Sequence, residues 1–135
     1  MKIRRQARIL ALQALFEIDS VGHPVDSVLA QRLEEKPLPV DGETFARQLV
    51  LGVMQHRLEV DEVISDIATE WPLEQMAIVD RNVLRIAVYE ITLDDQTPVK
   101  VAINEAVELA KLFGSDSSRR FVNGVLGTLA TRRGS

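Results

Sequence analysis

Residues 100–127 read KVAINEAVELAKLFGSDSSRRFVNGVLG, and this stretch decides the fold class. From Val99, apolar residues recur at Ala102, Ile103, Ala106, Leu109, Ala110 and Phe113, the 3.6-residue period of a helix that buries one face. Asn104, Glu105, Glu108 and Lys111 fall on the wet side. Upstream, Asp94 to Thr97 is a polar turn in which Thr97 is the expected N-cap, and Pro98 takes the first helical position, where its missing N–H costs nothing. Gly114 is expected as the left-handed residue that ends the helix, with Ser115, Asp116 or Ser117 capping the next. That second helix opens on Arg119 and Arg120. Its glycines, Gly124 and Gly127, each cost roughly 1 kcal/mol relative to alanine. Their i, i+3 spacing predicts a close approach to a neighbouring helix, and Asn104 and Asn123 are expected to tie the hairpin together by hydrogen bonds.

Working outward, residues 76–93 form the most apolar helix, with Val79, Val83, Leu84, Ile86, Ala87, Val88 and Ile91 around most of its circumference. A helix apolar nearly all round is packed on several neighbours. Arg85, deep in that run, is expected to make a structural ion pair. Trp71-Pro72 interrupts the helical pattern, because the residue before proline is pushed out of the α region. Further upstream, Ile3, Ala7, Leu10, Ala11, Ala14, Leu15 and Ile18 form the stripe of a first helix that ends before the Ser20–Pro24 turn signal. A short helix follows over 24–36, then a loop containing Pro37, Pro39 and Asp41-Gly42, then helices over about 43–55 and 60–68. Nothing alternates with period two for long enough to predict a strand. The expectation is a single all-α domain, a bundle of about seven helices in two helical subdomains of about 1–70 and 71–135.

The chain has 135 residues, 46% hydrophobic and 27% charged, which is ordinary globular composition. Cysteine is absent, so there is no thiol nucleophile or thiolate metal site. No uninterrupted segment reaches the roughly 18 apolar residues of a membrane span, and a cytoplasmic location is expected. Only His23 and His56 are available as imidazoles, and no phosphate-loop, dinucleotide or nucleophile-elbow motif occurs. An enzyme is not expected, nor is a metal or cofactor. Net charge is −4, but its distribution is uneven. Residues 1–8 carry Lys2, Arg4, Arg5 and Arg8 with no acid, and residues 115–135 carry Arg119, Arg120, Arg132 and Arg133 against Asp116 alone. The middle is strongly acidic. Such a chain looks like a repelling body with localised anion-binding patches.

At 100° per residue, Arg4, Arg5 and Arg8 share an arc of about 100° on the first helix. Guanidinium groups so placed can grip phosphates and stack on bases. Leu12 and Phe16 extend that side. Phe16 reads as a second core contact, with a stacking platform for an unpaired base as the alternative. Arg119 and Arg120 add charge to a helix N-terminus whose free N–H groups already favour anions. Cations there are locally unfavourable for stability, which points to a functional reason for them.

Three segments carry a family resemblance: RRQARILALQALFEID at 4–19, VDRNVLRIAVYEI at 79–91 and TPVKVAINEAVELAKLFGSDSSRRFVNGVLG at 97–127. Together they resemble the NusB family of transcription antitermination factors, in order and over nearly the whole chain. The resemblance implies an all-helical, non-catalytic RNA-binding protein. NusB-like proteins pair with NusE, the ribosomal protein that doubles as an elongation factor. The pair holds the boxA element of nascent RNA within the RNA polymerase antitermination complex, chiefly on ribosomal RNA genes. Carried onto this sequence, the RNA contacts are Lys2, Arg4, Arg5, Arg8, Arg119 and Arg120, and the NusE contacts are Glu74, Asp80, Arg81, Phe113 and Phe121. Some relatives have an acid at the turn position matching Ser117, where contacts differ. Two other readings stay open. One is a module related to the N-terminal domain of ribosomal RNA methyltransferases, against which 135 residues leave no room for a cofactor-binding domain; the other is a self-associating structural protein. Monomer or homodimer in the free state is also left open.

Overall fold

Seven α-helices dominate the computed structural model, which describes residues 2–94 and 96–134, and no strand occurs among them. None of these helices is long and apolar enough to cross a membrane. Contacts divide the chain into two units, Met1–Gln55 and His56–Ser135. The division falls earlier than the expected one near Trp71-Pro72, because the fourth helix packs on the fifth and seventh.

The first unit comprises α1 (Ile3–Val21), α2 (Val25–Glu35) and α3 (Val40–Gln55). The α1 stripe predicted from periodicity is buried through Ala7, Leu10, Ala11, Ala14 and Leu15, against α3 and α2. This helix outruns its expected end. Gly22 closes it at φ +79°, donating its N–H to the Ile18 carbonyl at 3.0 Å, as a left-handed C-terminal glycine does. The third helix starts at Val40 rather than 43, which brings Asp41 and Glu43 into its first turn, where acids are favourable. Gly42 is therefore helical and buried, and a Cβ on it would meet Ile3 Cγ2 at 2.7 Å. Across the end of α1, the Glu17 carboxylate accepts from His23 Nδ1 at 2.7 Å and from Arg32 at 3.1 Å. The His23 bond, foremost, holds the Glu17 carboxyl below the usual glutamate range.

The second unit comprises α4 (Arg57–Ile67), α5 (Ile78–Tyr89), α6 (Val99–Phe113) and α7 (Ser118–Arg132), with a 3₁₀ turn at Leu73–Gln75 after the Trp71-Pro72 break. Helix α5 is the central one, packed on α4, α6 and α7. It continues into a π-helical turn, Glu90–Asp94, where the expected regular helix widens. Glu90 is 1% exposed and accepts a 3.0 Å hydrogen bond from the Thr97 hydroxyl. Thr97 thus satisfies a buried carboxylate instead of capping α6. Arg85 forms the expected structural ion pair, to Asp61 on α4 at 2.8 and 3.1 Å.

Four expectations for the hairpin of α6 and α7 are corrected. Gly114 has φ −91° and ψ −171°, so it is extended rather than left-handed. Its requirement is steric: an added Cβ would run into the Ser118 side chain and lie 2.8 Å from the Ala110 carbonyl. At the turn, Ser118 Oγ accepts the Ser115 backbone N–H at 2.9 Å, while Ser117 at the N-cap position makes no side-chain cap. Asn104 and Asn123 stand exposed and do not tie the two arms. Gly124 and Gly127 have open space where a Cβ would go, so they do not mark a close helix approach. Without that packing role, Gly124→Ala and Gly127→Ala should each stabilise the protein by about 1 kcal/mol through helix propensity. Urea unfolding of the two variants checks this; a loss of stability would mean the added methyl meets something.

Candidate nucleic-acid and partner interfaces

In the first unit the basic face of α1 is built on an aromatic floor. Phe45 of α3 is buried, and the guanidinium carbons of Arg4 and Arg8 lie 4.3 and 5.1 Å from its ring centroid. Such cation–π contacts hold arginines in place without neutralising them. The members of the face differ. Lys2 and Arg4 are exposed and Arg5 is half-buried, but Arg8 is only 3% exposed. The expectation that Arg8 offers its charge at the surface as the others do is therefore corrected: its side chain is buried and its guanidinium lies over Phe45. Leu12 is buried as expected. Phe16 is 40% exposed, which overturns its reading as a core contact and leaves the stacking-platform alternative.

In the second unit Arg119 and Arg120 occupy the first turn of α7. Both are exposed, and neither has a carboxylate partner among the described residues. Cations at a helix start, where the dipole is positive, are of the kind that can hold an anion.

The candidate partner contacts also lie in this unit. Asp80 and Phe121 line one groove of about 320 Å³ together with Trp71 and Met76. Glu74 is exposed on the 3₁₀ turn beside it. Arg81 is half-buried, in the first turns of α5. Phe113, with Leu112, is exposed at the end of α6. A second groove, of about 330 Å³, shares Trp71 and Phe121 as lining and adds Arg120, Glu70 and Gly124. Reading the sequence missed Trp71. It registers there as a helix breaker because of Pro72, yet a lone tryptophan just outside a helix, 53% exposed, is itself a signal of a contact surface.

Comparison with known proteins adds to this geometry. The family model described as "NusB family" matches residues 5–131. The transcription antitermination protein NusB of Roseiflexus castenholzii is 52% identical over 132 residues, covering 96% of this chain and 93% of that protein. That of Dehalococcoides mccartyi strain CBDB1 is 49% identical over 127 residues, covering 94% and 89%. Among solved structures, T. maritima NusB superposes with a TM-score of 0.87 at 33% identity, over 95% of this chain and 90% of that one. A structure of antitermination factors NusB and NusE in complex with dsRNA gives 0.89 at 26% identity, over 98% of each. A match of this length, in sequence and in fold alike, means that the chain belongs to the NusB family of transcription antitermination factors, which are not enzymes.

Proposed function

We propose that this chain binds boxA-type single-stranded RNA jointly with the ribosomal protein NusE and, within the RNA polymerase antitermination complex, supports ribosomal RNA transcription in the cytoplasm. The observation that carries this reading is the likeness to a NusB solved with NusE in complex with dsRNA, over 98% of both chains. The surface chemistry agrees. Arg4, Arg5, Arg119 and Arg120, with Lys2, supply cations for phosphates, and exposed Phe16 supplies a ring on which an unpaired base can stack. Arg8 acts one step back, holding Phe45 and the α1 face in place. Glu74, Asp80, Phe113 and Phe121 form the NusE side, with Arg81 fixing the start of α5. Carboxylates suit a basic ribosomal protein.

The test is a titration of labelled boxA-type RNA with this protein, alone and with NusE, across salt concentrations. Weak binding alone, tighter binding with NusE and a log–log salt slope of about −0.7 per neutralised phosphate are expected. Equal binding of scrambled RNA by the pair would overturn the sequence-specific reading.

A further inference from the structure

The start of α1 is one that its own sequence does not favour. Lys2 stands at the N-cap without a side-chain cap, no acid follows in the first turn, and Arg4 and Arg5 put cations where the helix dipole opposes them. What steadies this end comes from α3. Gly42 lies so close to Ile3 that an added Cβ would stand 2.7 Å from Ile3 Cγ2. Further along the same helix Phe45, 5% exposed, lies under two guanidinium groups, 4.3 Å from that of Arg4 and 5.1 Å from that of Arg8. No ion pair to Arg4 occurs among the described residues, so the ring is its anchor. A carboxylate in that place would fix the side chain but cancel its charge, whereas an aromatic face fixes it and leaves the charge available. Arg4 is accordingly held and still exposed.

We propose that Phe45 is a positioning residue for RNA binding: it touches no nucleotide itself, and through Arg4 it sets how tightly the α1 face holds one. An arginine free to sample its rotamers has to be ordered when it meets RNA, and that entropy is subtracted from the affinity. Phe45 removes the penalty by ordering Arg4 when the chain folds. A guanidinium resting on a ring keeps its other face and its N–H edge toward solvent, the surfaces that a base and a phosphate use. Arg8, 3% exposed, shares the ring and braces it from the buried side. This inference rests on reading the α1 face as the RNA side, and it adds a residue of α3 with no charge and almost no exposed surface. Were Phe45 a core residue and nothing more, its replacement would lower stability and leave the RNA affinity of the folded protein unchanged.

The test titrates labelled boxA-type RNA with the full chain and NusE, comparing the unaltered protein with Phe45→Leu, Phe45→Met and Phe45→Tyr. The two aliphatic variants fill most of the space and lose the ring face. Each should weaken RNA binding on the order of 5- to 10-fold, by the same factor at every salt concentration, because no charge has been removed. Phe45→Tyr keeps the ring face and should bind within about twofold of the unaltered protein. Arg4→Ala behaves differently: it flattens the log–log salt slope by about 0.7. Combined with Phe45→Leu it should add little further loss, since Phe45 acts through Arg4. Thermal melts and NusE affinity measured without RNA establish that each variant is folded. Also without RNA, the side-chain proton resonances of Arg4 should lie upfield, shielded by the ring, and return to ordinary positions in Phe45→Leu. Full RNA affinity in folded Phe45→Leu and Phe45→Met, fully additive losses in the combined variant, or ordinary Arg4 resonances in the unaltered protein would each overturn the positioning role. Failure of the unaltered pair to bind RNA would instead overturn the RNA reading, and the Arg4 resonances would then decide the anchoring alone.

Discussion

Replacing Arg119 and Arg120 together with alanine is expected to weaken RNA binding on the order of 10- to 100-fold at low salt, while thermal stability holds or rises. The affinity loss follows from removing two charge-assisted phosphate contacts, each worth at least about 1 kcal/mol. The log–log salt slope should flatten by about 1.4, because two fewer phosphates are neutralised on a single strand. The stability prediction comes from position. Both arginines are exposed in the first turn of α7, without carboxylate partners among the described residues, where the helix dipole opposes them. Alanine removes that conflict and is the better helix former. Fluorescence anisotropy across a salt series, paired with thermal melts, reads both effects. An unchanged slope would mean that neither arginine touches phosphate. The same experiment on α1 is less clean. Arg4 can be truncated at the surface, but Arg8→Ala strips a buried guanidinium from Phe45 and would mix lost packing with lost binding.

The contrast between those two pairs shows what could be read from the chain and what could not. Long local periodicities were legible: the stripes of α1, α5 and α6 are buried along most of their length, with Ile3 and Phe113 exposed at the helix ends, since a helix face depends only on residues within a few turns. Local positive charge was equally legible. What escaped were facts decided by residues distant in sequence. Nothing near Arg8 announces that Phe45 will come beneath it, so a buried arginine and a surface one looked alike. The roles of Thr97 and Gly114 were misread for a related reason. Threonine before proline and glycine after a helix carry strong capping statistics, yet Thr97 is drawn to the buried Glu90, and Gly114 is required by the approach of Ser118. The glycine pair on α7 failed in the other direction, because i, i+3 spacing identifies a shared face without saying whether a helix or solvent lies opposite. Trp71 and the unpaired Asp80 oxygen required coordinates: a burial and an absent partner have no sequence signature.

The largest effect on stability is expected at Asp61. Its carboxylate takes both the Nε and one terminal nitrogen of Arg85, at 2.8 and 3.1 Å, and Arg85 is only 4% exposed in the central helix. Asp61→Ala leaves that guanidinium buried without its two-pronged counter-ion, retaining the 3.1 Å bond to Asn82 Oδ1. Breaking one side of a buried pair costs about 3–5 kcal/mol, a large fraction of the stability of a domain this size. Arg85→Ala should cost less on electrostatic grounds, because the Asp61 side chain is 19% exposed and Arg57 lies 3.7 Å away to share the charge. The asymmetry is the point of the experiment. If the pair is held together by desolvation rather than by a large net attraction, the double variant Asp61→Leu/Arg85→Met should recover most of the loss, since two apolar side chains can fill the space that two charges occupied. Urea unfolding of Asp61→Leu, Arg85→Met, the double variant and the unaltered protein closes the cycle and gives the coupling energy. Single losses that simply add in the double variant would show that Asp61 and Arg85 contribute independently, and that α4 is held to α5 by its apolar face, Val60, Ile64 and Ile67, instead of by this ion pair.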